Sequence, residues 1–104
     1  MTRPKIQISY SKLIEFCQRW KVTEFALFGS VLRDDFRPDS DIDVLISFTS
    51  DAGWSLFDLV EMKEELKNYF GREVDLVERD GLRNPFRRRS ILSTMEVFYE
   101  SSGA

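Results

Sequence analysis

FGSVLRDDFRPDSDIDVL, residues 28–45, is the stretch that decides the fold of this 104-residue chain. Gly29 and Ser30 close one apolar run, and Asp41 and Asp43 open the next. Glycine allows close approach of the backbone to a ligand, and free N–H groups at a helix start can bind phosphate together with a serine hydroxyl. A Gly-Ser pair alone usually marks an ordinary turn, so this segment gains meaning only from what surrounds it.

The two aspartates flank Ile42 on a predicted strand, so Asp41 and Asp43 share one face and Ile42 takes the other. Two carboxylates about 6 Å apart repel by about 3 kcal/mol at an effective dielectric near 20. A cation would offset that repulsion. Oxygen ligands without His or Cys select a hard ion, Mg²⁺ or Mn²⁺.

A simpler interpretation makes Asp39, Ser40 and Asp41 turn residues and leaves Asp43 facing solvent. The apolar continuation 44–46 weighs against it, because it places acids at the mouth of a core strand. Asp75 is a further acid in an apolar strand. It can join Asp41 and Asp43 if the two strands are neighbours in the sheet. The alternative is that Asp75 points outward beside Glu73 at an edge and leaves Val74 and Leu76 inside.

Two helices and two strands are predicted before residue 71. A helix over 8–20 has Ser9 as N-cap, with Ile8 packed on Leu13 as a staple. Its apolar stripe comprises Leu13, Phe16, Cys17 and Trp20. Strands follow at 22–28 and 41–48, the second covered on both faces. A helix then runs from a Ser55–Asp58 capping box to Phe70, with Gly71 as C′ residue. Its predicted apolar side comprises Leu56, Leu59, Val60, Lys63, Leu66 and Phe70.

The second half begins with a strand over 73–77 and a turn at Asp80-Gly81. Asn84 and Pro85 are the predicted N-cap and N1 of a last helix. Its apolar side comprises Ile91, Leu92, Met95, Phe98 and Tyr99. A short sheet flanked by helices gives an α/β fold, and the length predicts a single domain over 1–104.

Composition excludes several classes of site. The chain has no histidine and one cysteine, Cys17, so it cannot form a Ser-His-Asp site, a Cys-based zinc cluster or an internal disulfide. These features favour a reducing, cytoplasmic location. No apolar stretch is long enough to span a membrane. The net charge of −3 argues against direct nucleic-acid binding.

Taken together, these motifs resemble those of the minimal nucleotidyltransferases, relatives of DNA polymerase β and antitoxins of HEPN/MNT toxin–antitoxin pairs. The family pattern G-S-x-x-R-x-D…P-x-S-D-x-D is matched by Gly29-Ser30, Arg33, Asp35, Pro38, Ser40-Asp41 and Asp43. Gly71-Arg72 and the Val74–Val77 run match its third-strand region, and Asp34 departs from the small residue usual after the arginine. The resemblance covers nearly the whole chain.

The resemblance implies the polymerase β-like fold with a short mixed sheet, and it implies a site. Asp41, Asp43 and Asp75 would hold Mg²⁺ or Mn²⁺, and Asp75 would also receive the proton of an acceptor hydroxyl. Gly29 and Ser30 would bind the phosphates of ATP, whereas Arg33 would contact phosphate or form an ion pair with Asp35. The implied acceptor is a tyrosine of a HEPN toxin, which would receive AMP.

Two features outside this site are compatible with a partner surface. Arg83, Arg87, Arg88 and Arg89 cluster at the start of the last helix, where positive charge opposes the helix dipole. An acidic partner or nucleotide phosphates would offset this, although a solvated cationic face is the simpler interpretation. The aromatic residues Phe36, Phe57, Phe86 and Tyr99 do not all fit one core. Homo-oligomerisation stays open.

Two other functions compete with protein AMP transfer. The first is a binding module of the same fold that neutralises its partner by contact alone. Retention of all three aspartates weighs against it, because a binder has no need to maintain their repulsion. The second is a small-molecule nucleotidyltransferase. The absence of room for a second domain counts against this alternative.

Overall fold

A computed structural model describes residues 9–32 and 41–101, without the side chains of Ser30 and Val31. Several sequence predictions therefore lie outside the described residues. These are the Ile8 staple and the assignments for Arg33, Asp34, Asp35, Phe36, Pro38, Asp39 and Ser40.

The described elements alternate between helix and strand. In chain order they are α1 (Tyr10–Arg19), β1 (Val22–Phe28), a 3₁₀ turn (Gly29–Leu32), β2 (Ile42–Phe48), α2 (Leu56–Phe70), β3 (Val74–Glu78), a second 3₁₀ turn (Arg79–Gly81), α3 (Pro85–Thr94) and β4 (Glu96–Glu100). The strands form one sheet in the order β3-β2-β1-β4. Strand β3 runs parallel to β2, and β1 is antiparallel to both of its neighbours. The predicted short mixed sheet flanked by helices is confirmed.

Each face of the sheet packs against different helices. On one face, Phe25, Leu27 and Ile42 belong to a core that includes residues of α1 and α2. On the other face, Ala26, Phe28 and Leu45 pack with Ile91 of α3. Strand β2 is thus covered on both sides, as its nearly continuous apolar sequence predicts.

Helix ends follow the predicted capping chemistry in α2 and α3. The Ser55 hydroxyl accepts a bond from the Asp58 N–H, and the Asp58 carboxylate accepts one from the Ser55 N–H. Gly71 ends α2 with a left-handed φ of 70°. Asn84 accepts bonds from the first N–H groups of α3, and Pro85 occupies its first turn. Ser9 is the N-cap of α1, but its side chain makes no capping bond.

The prediction that one helix continues through Tyr99 is wrong. Helix α3 ends at Thr94, and Met95 turns into extended backbone with a ψ of 155°. The following EVFYE segment forms β4 and pairs antiparallel with β1. Branched and aromatic side chains suit a pleated strand, and the ladder with β1 outweighs the helical spacing of the apolar residues.

The predicted apolar face of α2 is also partly wrong. Met62 and Leu66 are fully buried, whereas Leu56 is 79% exposed and Val60 is 61% exposed. The helix is rotated so that Leu59, Tyr69 and Phe70 flank the buried pair. The first turns of α2 therefore present apolar side chains to solvent.

None of the helices in the described residues combines the length and the apolar character needed to cross a membrane.

Candidate functional site

The sheet brings two of the three predicted acids, Asp43 and Asp75, to one end and one face. Strand β2 begins at Ile42, and β3 pairs with it in parallel register so that Asp43 lies opposite Asp75. Paired strands are about 4.8 Å apart, and side chains at paired positions point to the same face. Ile42 and Val74, the preceding pair, are buried in the core on the other face. Asp75 therefore shares the face of Asp43. It is also exposed on an edge strand, with Val74 and Leu76 on the core side, as the alternative interpretation describes.

Gly29 lies directly against Asp43. It follows β1, whose last residue Phe28 pairs with Asp43, and it has a left-handed φ of 76°. A Cβ placed on Gly29 would come within 2.2 Å of Asp43 Oδ2. The position thus requires glycine for two reasons: the backbone conformation is left-handed, and a side chain would collide with the carboxylate.

The acids differ in exposure. Asp43 is half-buried, whereas Asp41 and Asp75 are exposed. Within the part of the chain that the structure describes, no three His, Cys, Asp or Glu side chains converge closely enough to hold one metal ion. The backbone register aligns Asp43 with Asp75, and side-chain rotation would have to complete a shared ion site.

The predicted phosphate-binding residues are described only in part. The structure places Gly29 and Ser30 in the 3₁₀ turn Gly29–Leu32 that directly follows β1. Arg33 falls outside the described residues. Sequence motifs identify Gly29 and Asp43 separately but give no signal for their contact, which depends on the β1–β2 register.

The arginine cluster lies at the other end of the sheet from the acids. Strand β3 ends beside Ile46 of β2, and Arg79, the next residue, forms an ion pair of 2.8 Å with the buried Glu24 of β1. Arg88 donates a 3.2 Å hydrogen bond from Nη1 to the Arg79 carbonyl. Arg83, Arg87 and Arg89 are exposed. This placement separates the cluster from the acids and so disfavours a role in binding nucleotide phosphates.

Cys17 belongs to the core. It is fully buried among α1 residues that pack on the sheet, and burial raises the pKa of its thiol to about 12. A thiol in this state is neutral at physiological pH and is a poor nucleophile. The interpretation of Cys17 as a small core residue is confirmed.

Comparison with known proteins identifies the fold and the family. A nucleotidyltransferase domain family model matches residues 11–97. Protein adenylyltransferase MntA of Thermococcus cleftensis is 36% identical over 70 residues, which are 67% of this chain and 69% of that protein. A candidate protein adenylyltransferase of Methanocaldococcus jannaschii is 35% identical over 74 residues, 71% of this chain and 74% of that protein.

Solved structures support the same assignment of fold and family. A candidate minimal nucleotidyltransferase superposes with a TM-score of 0.69 at 32% identity, covering 84% of this chain and 86% of that one. A toxin–antitoxin structure with AMP-PNP gives 0.72 at 18% identity, covering 91% and 76%. The complex of a tri-AMPylated Shewanella oneidensis HEPN toxin with its MNT antitoxin gives 0.61 at 21% identity, covering 88% and 70%. At 18% and 21% identity, the last two structures show that the fold is shared. The family match, the two relatives and the Gly29–Asp43–Asp75 arrangement agree, and the chain belongs to the nucleotidyltransferase domain family, in the minimal type that includes the protein adenylyltransferases.

Proposed function

We propose that this chain is a metal-dependent nucleotidyltransferase that transfers AMP from ATP to a tyrosine of a partner HEPN toxin and thereby acts as its antitoxin. The observation that carries the proposal is the register of Asp43 with Asp75 beside a glycine that no other residue can replace without displacing Asp43. Relatives above 30% identity bear the name protein adenylyltransferase. One structure of the same fold holds a tri-AMPylated HEPN toxin. The domain is proposed to extend over 1–104.

The donor set suits a hard divalent ion. Asp41, Asp43 and Asp75 offer only carboxylate oxygens, which Mg²⁺ and Mn²⁺ prefer. We assign these three residues as the ligands. When bound, the ion neutralises triphosphate charge and makes the α-phosphorus more electrophilic.

The residues of the chain then have separate roles. Gly29 and Ser30 bind the phosphates of ATP, with Arg33 on phosphate or paired with Asp35. Asp75 accepts the proton of the tyrosine hydroxyl as its oxygen bonds to the α-phosphorus and the bond to pyrophosphate breaks. Asp75 is exposed on β3, the edge strand of the sheet, so a side chain carried by another protein can reach it.

The direct test uses labelled ATP, Mg²⁺ and the protein encoded beside this gene, which the proposal takes to be the HEPN partner. The expected result is label on a tyrosine of that protein and none when Mg²⁺ is chelated. Absence of label with Mg²⁺ or Mn²⁺ present would contradict the enzymatic proposal.

A second test separates an enzyme from a contact antitoxin. Cells carrying the toxin are given the wild-type chain or the Asp41→Ala, Asp43→Ala double variant at matched abundance. The proposal predicts that only the wild-type chain restores growth. Full protection by the double variant would mean that binding alone neutralises the toxin.

We also propose a cytoplasmic location, where ATP and a reducing environment are both available.

A further inference from the structure

An apolar groove lies between α2 and β3, on the face of the sheet opposite the acids. It has a volume of about 330 Å³ and is lined by Leu56, Leu59, Val60, Lys63, Leu76 and Glu78. Leu56 and Val60 are largely exposed, and the neighbouring Phe57 is 88% exposed. Exposed apolar side chains grouped around a groove often mark a binding surface.

The groove reaches the edge of the sheet next to the proposed catalytic acid. Leu76 lines the groove, and Asp75 precedes it on β3. Successive residues of a strand are about 3.3 Å apart and point to opposite faces. No strand lies beyond β3 in residues 9–32 and 41–101. A protein seated in the groove can therefore extend around this edge to Asp75.

Charge around the groove selects the kind of occupant. Lys63 and Glu78 line it with opposite charges, and Glu61 and Glu64 add negative charge one helical turn from Phe57 and Val60 on the exposed side of α2. Asp75 and Glu73 add acidic side chains on or beside the edge strand, the latter 2.7 Å from Lys67. A second copy paired along β3 would bring these acids against their own counterparts, which is unfavourable. A partner with a cationic border is favoured instead.

We propose that the α2–β3 groove is the docking surface for the acceptor protein, which contributes an amphipathic helix whose apolar stripe is bordered by Lys or Arg. Grooves of this kind take side chains at helical spacing. The inference rests on the proposed function, because it assumes that the acceptor is a protein whose tyrosine must reach Asp75. On this proposal, a surface separate from the acids determines which acceptor protein is modified.

The test measures AMP transfer to the neighbouring HEPN protein at increasing concentrations of that protein. The variant is Leu56→Gln, Val60→Gln, whose exposed positions permit normal folding. We expect the acceptor concentration for half-maximal rate to rise at least tenfold, with the half-saturating ATP concentration unchanged. The matched control is Phe86→Gln, which removes an equally exposed apolar side chain from α3. It should leave both constants at wild-type values.

Several outcomes would overturn the docking surface. One is a groove variant that reaches half-maximal rate at the same acceptor concentration as the wild type. Another is a tenfold rise in that concentration caused by Arg87→Ala, Arg89→Ala and not by the groove variant. A wild-type dimer in light scattering that the groove variant abolishes would assign the groove to a second copy.

Failure of the proposed function would look different. If the wild-type chain transfers no AMP at all, calorimetric titration of the HEPN protein still measures docking. Binding that is lost in the groove variant and kept in Phe86→Gln would support the docking surface even then. Equal binding by all three proteins would overturn it.

Discussion

Gly29 and Asp43 form the part of the site that depends most strictly on residue identity. The glycine has a left-handed φ, and a Cβ added to it would overlap the Asp43 carboxylate. An L-residue in this backbone region costs about 1–3 kcal/mol. Any side chain would also have to displace Asp43 Oδ2, which moves a proposed metal ligand.

Gly29→Ala is therefore expected to lose both stability and activity. We expect a loss of about 1–3 kcal/mol in the free energy of unfolding, measured with urea. AMP transfer should fall at least tenfold. Gly71→Ala is the matched control, because Gly71 has a φ of 70° and no heavy atom within 4 Å of an added Cβ. It should lose similar stability and keep its activity; equal activity in both variants would show that displacing Asp43 does not matter.

Cys17 gives a prediction of pH dependence. Burial raises the thiol pKa from 9.0 to about 12. The folded state thus keeps a proton that the unfolded chain loses above pH 9. Its contribution to stability is complete below pH 9 and is lost as the pH rises towards 12, by up to about 1.4 kcal/mol per pH unit.

The measurement is urea unfolding at pH 8 and pH 10 for the wild type and Cys17→Ala. The wild type should lose more stability between these values than the variant does, because the remaining titrating groups are common to both. Identical losses would contradict the buried neutral thiol. At pH 8, a disulfide reagent should label the native protein far more slowly than the unfolded chain.

At the scale of single elements, capping chemistry could be predicted from sequence where the whole signal is local. The reciprocal Ser55–Asp58 bonds, the left-handed Gly71 and the Asn84 cap all lie within a few residues of the helix ends that they stabilise. Such contacts depend on the local backbone and little on the rest of the fold. The sequence was therefore sufficient to predict these helix ends.

Ser55→Ala tests the capping box. Removing the hydroxyl leaves an early N–H of α2 without its partner and should cost about 1 kcal/mol of unfolding free energy. Ser9→Ala is the matched control, since the N-cap side chain of α1 makes no capping bond. It should cost clearly less in the same thermal or urea measurement. A larger effect at Ser9 would contradict the assigned caps.

Where local sequence is compatible with two structures, contacts with distant parts of the chain decide between them, and the sequence alone could not. The segment 96–100 has apolar spacing compatible with a helix, and only its pairing with β1 makes it a strand. The exposed face of α2 is a similar case, because helical periodicity shows that apolar residues share a side but not which of them meet the sheet. Likewise, Asp75 could be placed with Asp43 only once the β2–β3 register was known.

At the scale of the whole molecule, chemistry and recognition are divided between regions of one small sheet. The acids lie at the start of β2 and β3, the apolar groove lies on the opposite face beside β3, and the arginines lie at the far end near Arg79. We expect the acceptor tyrosine to reach the acids at the exposed edge of the sheet, where Asp75 lies on β3.

The central claim is that Asp75 acts with Asp41 and Asp43 in magnesium-dependent AMP transfer. The most direct measurement is the intact mass of the neighbouring HEPN protein after incubation with ATP, Mg²⁺ and either the wild-type chain or Asp75→Asn. Asp80→Asn, an exposed acid past the other end of β3, is the control. We predict AMP addition by the wild type and Asp80→Asn, and a rate at least about a hundredfold lower for Asp75→Asn. Transfer by Asp75→Asn at the wild-type rate would contradict the account.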